Sequence, residues 1–136
     1  AALGAVQMSR LDEMLDKREQ VAKWYESALA DVEGVETQFI EESTSRMSWF
    51  VYVVRFDENI NRDKLAQELI AEGVPVRPYF APIHLQPYMV EKFGYQRGDF
   101  PITEDLGNRS LALPFSGVMS KAQVEQVCET IAELLK

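Results

Sequence analysis

The sequence has 136 residues but only one cysteine, Cys128, and one histidine, His84. A single cysteine cannot form an internal disulfide, and a single histidine among scattered acids does not supply the three or four ligands of a zinc site. Because Cys128 lies within a helical pattern, we expect a buried helix residue and not a reactive thiol. The cysteine usage fits a reducing cytoplasm, which is the location we expect.

Further absences argue against two classes of partner. Asp and Glu outnumber Lys and Arg by 22 to 14, the net charge is −8, and no basic cluster interrupts this balance. An acidic chain repels a phosphate backbone, so we expect no nucleic-acid partner. No run of about 18 apolar residues is present, so we expect no membrane-spanning segment. The 46% apolar content and the length are those of one globular domain with a core of its own.

The first part of the chain has the pattern of one long amphipathic helix over residues 1–31. Its apolar positions recur at helical spacing and are Leu11, Met14, Leu15, Val21, Ala22, Tyr25 and Leu29. The pattern is already running at Ala1, and no capping residue precedes it. We therefore expect that the chain was cut from a longer protein.

The remaining segments alternate between strand and helix patterns. The apolar runs predict strands at residues 35–40, 49–56, 74–80 and 111–115, and the run at 49–56 predicts a central strand covered on both faces. Pro75 and Pro78 restrict the strand at 74–80 to an edge of the sheet or to a short stretch. Helices are predicted at residues 61–72, 87–93, 102–110 and 120–135. Asn61 and Ser120 are their predicted caps, the latter with Gln123 as a capping box, and Gly73 and Gly94 are their predicted ends. The predicted fold class is α+β: a small, mostly antiparallel sheet with helices on one face and a long N-terminal helix.

The residues by themselves do not form a complete active site. The six lysines lie at predicted helix faces or termini, without a pocket motif beside them, and no glycine-rich phosphate loop is present. The most unusual segment is residues 77–87, which hold Arg77, Tyr79, Phe80, His84 and three prolines. Such a rigid loop could contact an anion or a sugar, or it could be a packed connection whose histidine bonds to backbone.

Several stretches, in order, resemble the DegT/StrS-type aminotransferase family. They are Ala1-Ala2-Leu3-Gly4 followed by Gln7, Leu11 and Asp12; residues 48–53; Arg77-Pro78-Tyr79-Phe80, Pro82 and His84-Leu85-Gln86-Pro87; Asp99-Phe100-Pro101 and Glu104; and Ser110-Leu111-Ala112-Leu113-Pro114. Each motif is weak singly, but their shared order spans essentially the whole chain and makes the resemblance fairly specific.

The resemblance implies a fold-type I aminotransferase of which this chain is the C-terminal small domain, residues 1–136, with residues 1–31 as the linking helix. In such an enzyme a large N-terminal domain, absent here, holds pyridoxal phosphate (PLP). The implied reaction transfers an amino group from an amino acid, with glutamate as the expected donor, to a nucleotide-linked keto-sugar. The resemblance also implies a homodimeric full-length enzyme, and an isolated chain that is inactive and binds no cofactor.

The residues carried over by the resemblance are substrate contacts, since no catalytic, cofactor or metal residue matches. His84 matches a histidine of the family's loop at the cleft, and Tyr79 and Arg77 are further candidates. Trp49 and Phe50 could border the cleft, but we expect them in the strand core; the family often has histidine at the position of Phe50. Arg46 could contact a phosphate, although a solvated loop arginine is the alternative.

Two other readings of the chain stay open. One is a regulatory or binding module without catalysis, since some members of this family carry the label of pleiotropic regulators. A regulator acting through DNA should show a basic face, which this sequence lacks. The other is a complete small α+β protein that binds a metabolite or another chain, against which the uncapped first helix argues.

Overall fold

The structure is a computed structural model that describes residues 2–136. Within these residues six helices accompany a three-stranded sheet, which confirms the predicted α+β class. The elements are α1 (Ala2–Met8), α2 (Leu11–Leu29), β1 (Val35–Glu36), β2 (Tyr52–Phe56), α3 (Arg62–Ala71), a 3-10 turn (Ile83–Leu85), α4 (Pro87–Phe93), α5 (Pro101–Arg109), β3 (Ser110–Leu113) and α6 (Lys121–Leu134).

The sheet is antiparallel in the order β1-β2-β3, so β2 is central as predicted. Tyr52 pairs with Leu113 and Val54 with Leu111, which places these four side chains on one face, called here the inner face. Val53 and Arg55 point to the opposite, outer face and are only half-buried. The expectation that both faces of this strand are covered is therefore wrong within the described residues.

The hydrophobic core fills the space between the inner face and helices α2, α3 and α6. The ring of Tyr25, from α2, stacks on Tyr52 at 4.8 Å between centroids, and Phe56, Leu69 and Ile131 are essentially inaccessible to solvent. Each large apolar side chain buried in this way stabilises the fold by about 1.5–3 kcal/mol. Packing of their amphipathic faces thus holds α2, α3 and α6 on one side of the sheet.

The single helix predicted over residues 1–31 is wrong, because the structure divides it at Ser9 and Arg10. The hydroxyl of Ser9 donates to the carbonyl of Val6 at 2.8 Å, and the N–H of Arg10 bonds Gln7 in a tighter turn. No residue of α1 is buried, so no core contact keeps α1 in line with α2. The start of the prediction, Ala1, lies outside the described residues.

The strand predicted at 74–80 is also wrong, although Val74 and Val76 are buried. Pro75 and Pro78 lack the N–H that a ladder needs, so only Arg77 makes an isolated bridge with Ala112. The strand predicted at 35–40 shortens to Val35–Glu36, and that at 111–115 shifts to Ser110–Leu113, where Pro114 follows.

The local signals for helix ends are confirmed. Asn61 accepts a bond from the N–H of Lys64, and Ser120 forms the predicted capping box with Gln123. Gly94, at a φ of 72°, ends α4 in the left-handed region that favours glycine.

Candidate functional site

A groove of about 570 Å³ lies on the outer face of the sheet. Val53 and Arg55 of β2 form its floor, and α5 borders it. Its complete lining consists of Glu36, Thr37, Gln38, Phe39, Val53, Val54, Arg55, Tyr79, Phe80, Thr103, Leu106, Gly107 and Ser110. Predominantly apolar walls with a few polar groups are the usual composition of a small-molecule site.

One wall of the groove comes from the segment at residues 77–87. The rings of Tyr79 and Phe80 lie 4.5 Å apart between centroids, and the two side chains are 40% and 70% exposed. Exposed rings in a mainly apolar groove can stack on a planar or sugar ring of a ligand. The structure therefore places the predicted contact residue Tyr79 in the groove wall, and Phe80 lies beside it in the same wall.

Arg77 lies at the start of the same segment but outside the groove lining. Its backbone N–H and carbonyl bond Ala112 at 3.2 and 2.8 Å, so the segment is fixed to β3 at this point. The residue is exposed, which leaves its guanidinium available to an anion near the rim.

His84 occupies a closed environment and does not line the groove. It is 6% exposed, and its Nε2 lies 3.0 Å from Oε1 of Glu104 on α5. The ring also packs against Phe100, 4.8 Å away between centroids, and stands edge-on to Tyr95 at 6.4 Å. Direct contact between His84 and a substrate stays a prediction, because the observed partners of the ring belong to the chain itself.

Glu104 is buried although it is an acid, and hydrogen bonds stabilise its charge. Its Oε1 accepts the backbone N–H of Gly98 at 2.8 Å and, more weakly, that of Phe100 at 3.4 Å, besides facing His84. The Gly98 N–H is the main cause that lowers the pKa of this carboxyl, with His84 and Phe100 adding to it and burial opposing. Glu104 is therefore a carboxylate at neutral pH.

A smaller pocket, of about 220 Å³, lies between α2 and the loop before β2. Arg46, weighed above as a phosphate contact, forms ion pairs there with Asp12 and Asp16.

Trp49 is buried as expected and stacks on Tyr52 at 5.4 Å, but its φ of 46° is unusual for a bulky residue. Phe50 is 79% exposed, so its expected place in the strand core is wrong: the left-handed turn at Trp49 directs the chain outward before β2 begins.

The lysines of the chain do not fit a PLP site. All six are exposed, and four of them pair with a glutamate one helical turn away: Lys17 with Glu13, Lys23 with Glu19, Lys64 with Glu68 and Lys121 with Glu125. A Schiff-base lysine requires a pocket that desolvates it and faces the cofactor. None of these side chains lines the groove on the outer face.

Other chemistry is also limited in the part of the chain that the structure describes. Cys128 is buried in α6 as expected, and burial raises the pKa of its thiol to about 12. Residues 2–136 contain no group of three or more His, Cys, Asp or Glu side chains that could hold a metal ion. No helix in this range is long and apolar enough to cross a membrane.

Sequence reasoning found Tyr79 but missed most of the groove. Gln38 and Phe39 were not singled out, Phe80 was named in the loop but not as a candidate contact, and Arg55 was assigned to a covered strand. The alternation along β2 could have identified Val53 and Arg55 as outer-face residues. The partnership of His84 with Glu104, twenty positions apart, has no local signal in the sequence.

Comparisons with known proteins give a consistent result. Residues 1–132 match the DegT/DnrJ/EryC1/StrS aminotransferase family. The chain is 34% identical over 140 residues to the "Spore coat polysaccharide biosynthesis protein SpsC" of Bacillus subtilis, with 100% of this chain and 36% of the relative covered. It is 32% identical over 137 residues to "GDP-perosamine synthase" of Caulobacter vibrioides, with 99% and 36% covered.

The fold agrees with solved structures. The crystal structure of the aminotransferase TlmJ from Streptoalloteichus hindustanus superposes with a TM-score of 0.84 at 29% identity, covering 97% of this chain and 34% of that one. The chain thus spans about a third of the length of the proteins it matches.

Proposed function

Because the chain belongs to the DegT/DnrJ/EryC1/StrS aminotransferase family, we propose that it is the C-terminal small domain of a PLP-dependent nucleotide-sugar aminotransferase. The proposed reaction moves an amino group from an amino acid, with glutamate as the donor we expect, to the keto group of a nucleotide-linked sugar. The observation that carries this proposal is the family match over residues 1–132, nearly the whole chain.

The names of similar proteins support the substrate class. One relative is named as a synthase of a GDP-linked amino sugar and another as a protein of polysaccharide biosynthesis. An enzyme of this kind would work as a homodimer in the cytoplasm, as the resemblance and the cysteine usage suggest. The chain spans about a third of the length of these relatives, and the proposal therefore assigns the activity to a longer protein of which this chain would be one part.

The contribution of this chain is to one wall of the substrate cleft. Tyr79 and Phe80 offer exposed rings to the sugar or base, and the mainly apolar lining of the groove excludes water from that side. A nucleotide sugar is an anion and the chain has a net charge of −8, so a positioned cation is needed. We assign this role to Arg77, whose guanidinium is exposed next to the segment that carries the rings.

PLP would be held by residues outside this chain. When bound, it serves as the electron sink that the amino transfer needs. The six lysines of this chain are exposed and four of them are ion-paired, so they offer no attachment point; the proposal includes that the isolated chain is inactive and forms no stable PLP adduct.

The test uses the product of the complete reading frame that encodes this chain. Incubation with glutamate and a keto-sugar nucleotide should yield the amino sugar and 2-oxoglutarate, which mass spectrometry detects. Absence of transfer with a panel of keto-sugar nucleotides and amino donors would contradict the proposed function.

The role of Arg77 is tested by Arg77→Ala beside the matched control Arg97→Ala, which removes another exposed arginine outside the groove. Losing a charge-assisted phosphate contact should raise KM by about tenfold or more in the first variant only. Equal KM values for the two variants would remove Arg77 from the site.

The isolated chain provides a separate test of cofactor binding. After mixing with PLP and reduction with borohydride, its mass should show only scattered, substoichiometric labelling of surface lysines. A stoichiometric adduct at one lysine would contradict the assignment of the cofactor to another part of the protein.

A further inference from the structure

The segment at residues 77–87 is attached to the rest of the chain at three points. Arg77 bridges to Ala112 of β3, Pro82 packs on Gly107 of α5, and His84 bonds Glu104 of α5. The two rings that form the groove wall lie between the first attachment and the other two. Their position therefore depends on how firmly both ends of the segment are held.

The contact at Gly107 is close. A Cβ placed on this glycine would lie 2.9 Å from Cδ and 3.0 Å from Cγ of Pro82, which is nearer than side chains approach. The same Cβ would lie 3.6 Å from the carbonyl oxygen of Phe80. Gly107 is thus required for the segment to lie against α5 at this distance.

The attachment at Glu104 joins three parts of the chain. Its carboxylate can only accept hydrogen bonds, so Nε2 of His84 carries the proton in their 3.0 Å contact. The same oxygen accepts from Gly98 and Phe100, in the turn that precedes α5. One buried side chain therefore fixes both the segment and this turn relative to α5.

We propose that Glu104 is a positioning residue for the groove: through His84 it holds residues 77–87 so that Tyr79 and Phe80 form the groove wall. Glu104 does not line the groove itself and acts only through His84 and the backbone it binds. The inference rests on the proposed function only in that the groove is taken to receive the nucleotide sugar. The positioning can be measured without any substrate.

The structural test is NMR on the chain itself, with three variants. Glu104→Ala should shift the ring proton signals of Tyr79 and Phe80 together with those of the His84 ring and the Gly98 amide, because the shared acceptor is gone. Glu104→Gln should restore the ring signals towards wild type, since its amide oxygen can still accept these bonds. The matched control Glu91→Ala, an exposed glutamate of α4, should leave all four sets unchanged.

A further variant, Gly107→Ala, is available if Glu104→Ala does not fold. Gly107→Ala leaves the carboxylate and the histidine intact but pushes Pro82 away from α5, so it should also shift the signals of Tyr79 and Phe80. If the two rings keep their wild-type signals when His84 and Gly98 shift, or if Glu104→Gln fails to restore them, the positioning role is refuted.

Kinetics of the complete protein separate this inference from the proposed function. Removing Glu104 should raise KM for the sugar nucleotide by about tenfold while kcat changes less than about twofold, because the wall that binds substrate is displaced. A fall in kcat of about tenfold with an unchanged KM would overturn the role in substrate positioning. If no transamination is found at all, the proposed function fails, and the NMR result still decides the positioning of the rings.

Discussion

On the inner face of β2, Tyr52, Val54 and Phe56 are each 1% exposed, and three helices cover them. On the outer face Val53 and Arg55 stay half-buried beneath an open groove, with Phe39 and Phe80 exposed at its border. The same strand thus contributes one face to the closed hydrophobic core and the other face to the floor of an open groove. The inner face stabilises the folded chain, and the outer face presents the groove.

The electrostatics of the two faces differ as well. Inner-face polar groups are few, and burial raises the pKa values of the Tyr25 and Tyr52 hydroxyls, which therefore stay neutral. Around the outer face, Arg55 pairs with Glu36 and Arg109 with Asp105, and His84 forms a hydrogen bond with Glu104.

The largest expected effect comes from two matched phenylalanine substitutions, one on each side of the sheet. Phe56→Ala, at an inner-face position, should lower the free energy of unfolding by about 3–5 kcal/mol, because it leaves a cavity in the core. Phe80→Ala, at a residue 70% exposed, should change it by no more than about 0.5 kcal/mol. Urea denaturation measures both values, and similar losses would show that the two faces contribute equally to stability.

A smaller difference is expected for two tyrosine hydroxyls. Tyr25 donates to the carbonyl of Pro114 at 2.6 Å, so Tyr25→Phe should cost about 1 kcal/mol and leave a partly buried carbonyl without its donor. Tyr79→Phe on the groove side serves as the control and should be within about 0.5 kcal/mol of wild type. An equal cost for both would mean that the Tyr79 hydroxyl has a structural partner.

On the groove side, Glu104 should make the stability of the folded chain depend on pH in the acid range. The pKa of Glu104 is lowered in the folded chain, so its contribution to stability is present above its unfolded pKa of about 4.3 and is lost as the pH falls through the folded value. Wild type should therefore lose stability more steeply than Glu104→Gln between about pH 5 and about pH 3. Thermal denaturation across this range measures it, and parallel curves would contradict an ionised Glu104.

The smallest effect is expected at Cys128, on the core side. Burial raises the pKa of its thiol to about 12, so a thiol reagent should label the folded chain at pH 8 only at the rate of unfolding. Labelling should become fast in denaturant. Rapid labelling of the folded chain would show that the inner core opens far more readily than its packing implies.

Much of the inner side was predictable from local patterns. The apolar periodicity of Val21, Tyr25 and Leu29 identified the core face of α2, and capping at Asn61 and Ser120 fixed the starts of α3 and α6. The prolines at 75 and 78 were recognised as a restriction on the segment 74–80, but the residual strand prediction failed because an isolated bridge at Arg77 replaces the ladder. The break at Ser9 was missed because apolar spacing continues across it.

The site was less accessible to sequence reasoning. Tyr79 was singled out because it lies in an unusual loop, and the structure places it at the groove, whereas His84 from the same loop turns into a buried contact with Glu104. Phe50 was expected inside and lies outside, since the left-handed backbone at Trp49 cannot be read from residue types. The first of these errors concerns two residues distant in the chain, and the second concerns a local backbone conformation that residue types do not reveal.

Residue types and short-range spacing were sufficient to predict the α+β class, the helix caps and the central strand, and the order of short motifs was sufficient to indicate the family. The fold was needed to identify which face of the sheet is closed, which loop residues reach the groove, and that Glu104 holds His84. Those features arise where separate elements meet, and their geometry follows from packing and from hydrogen bonds between residues far apart in the chain.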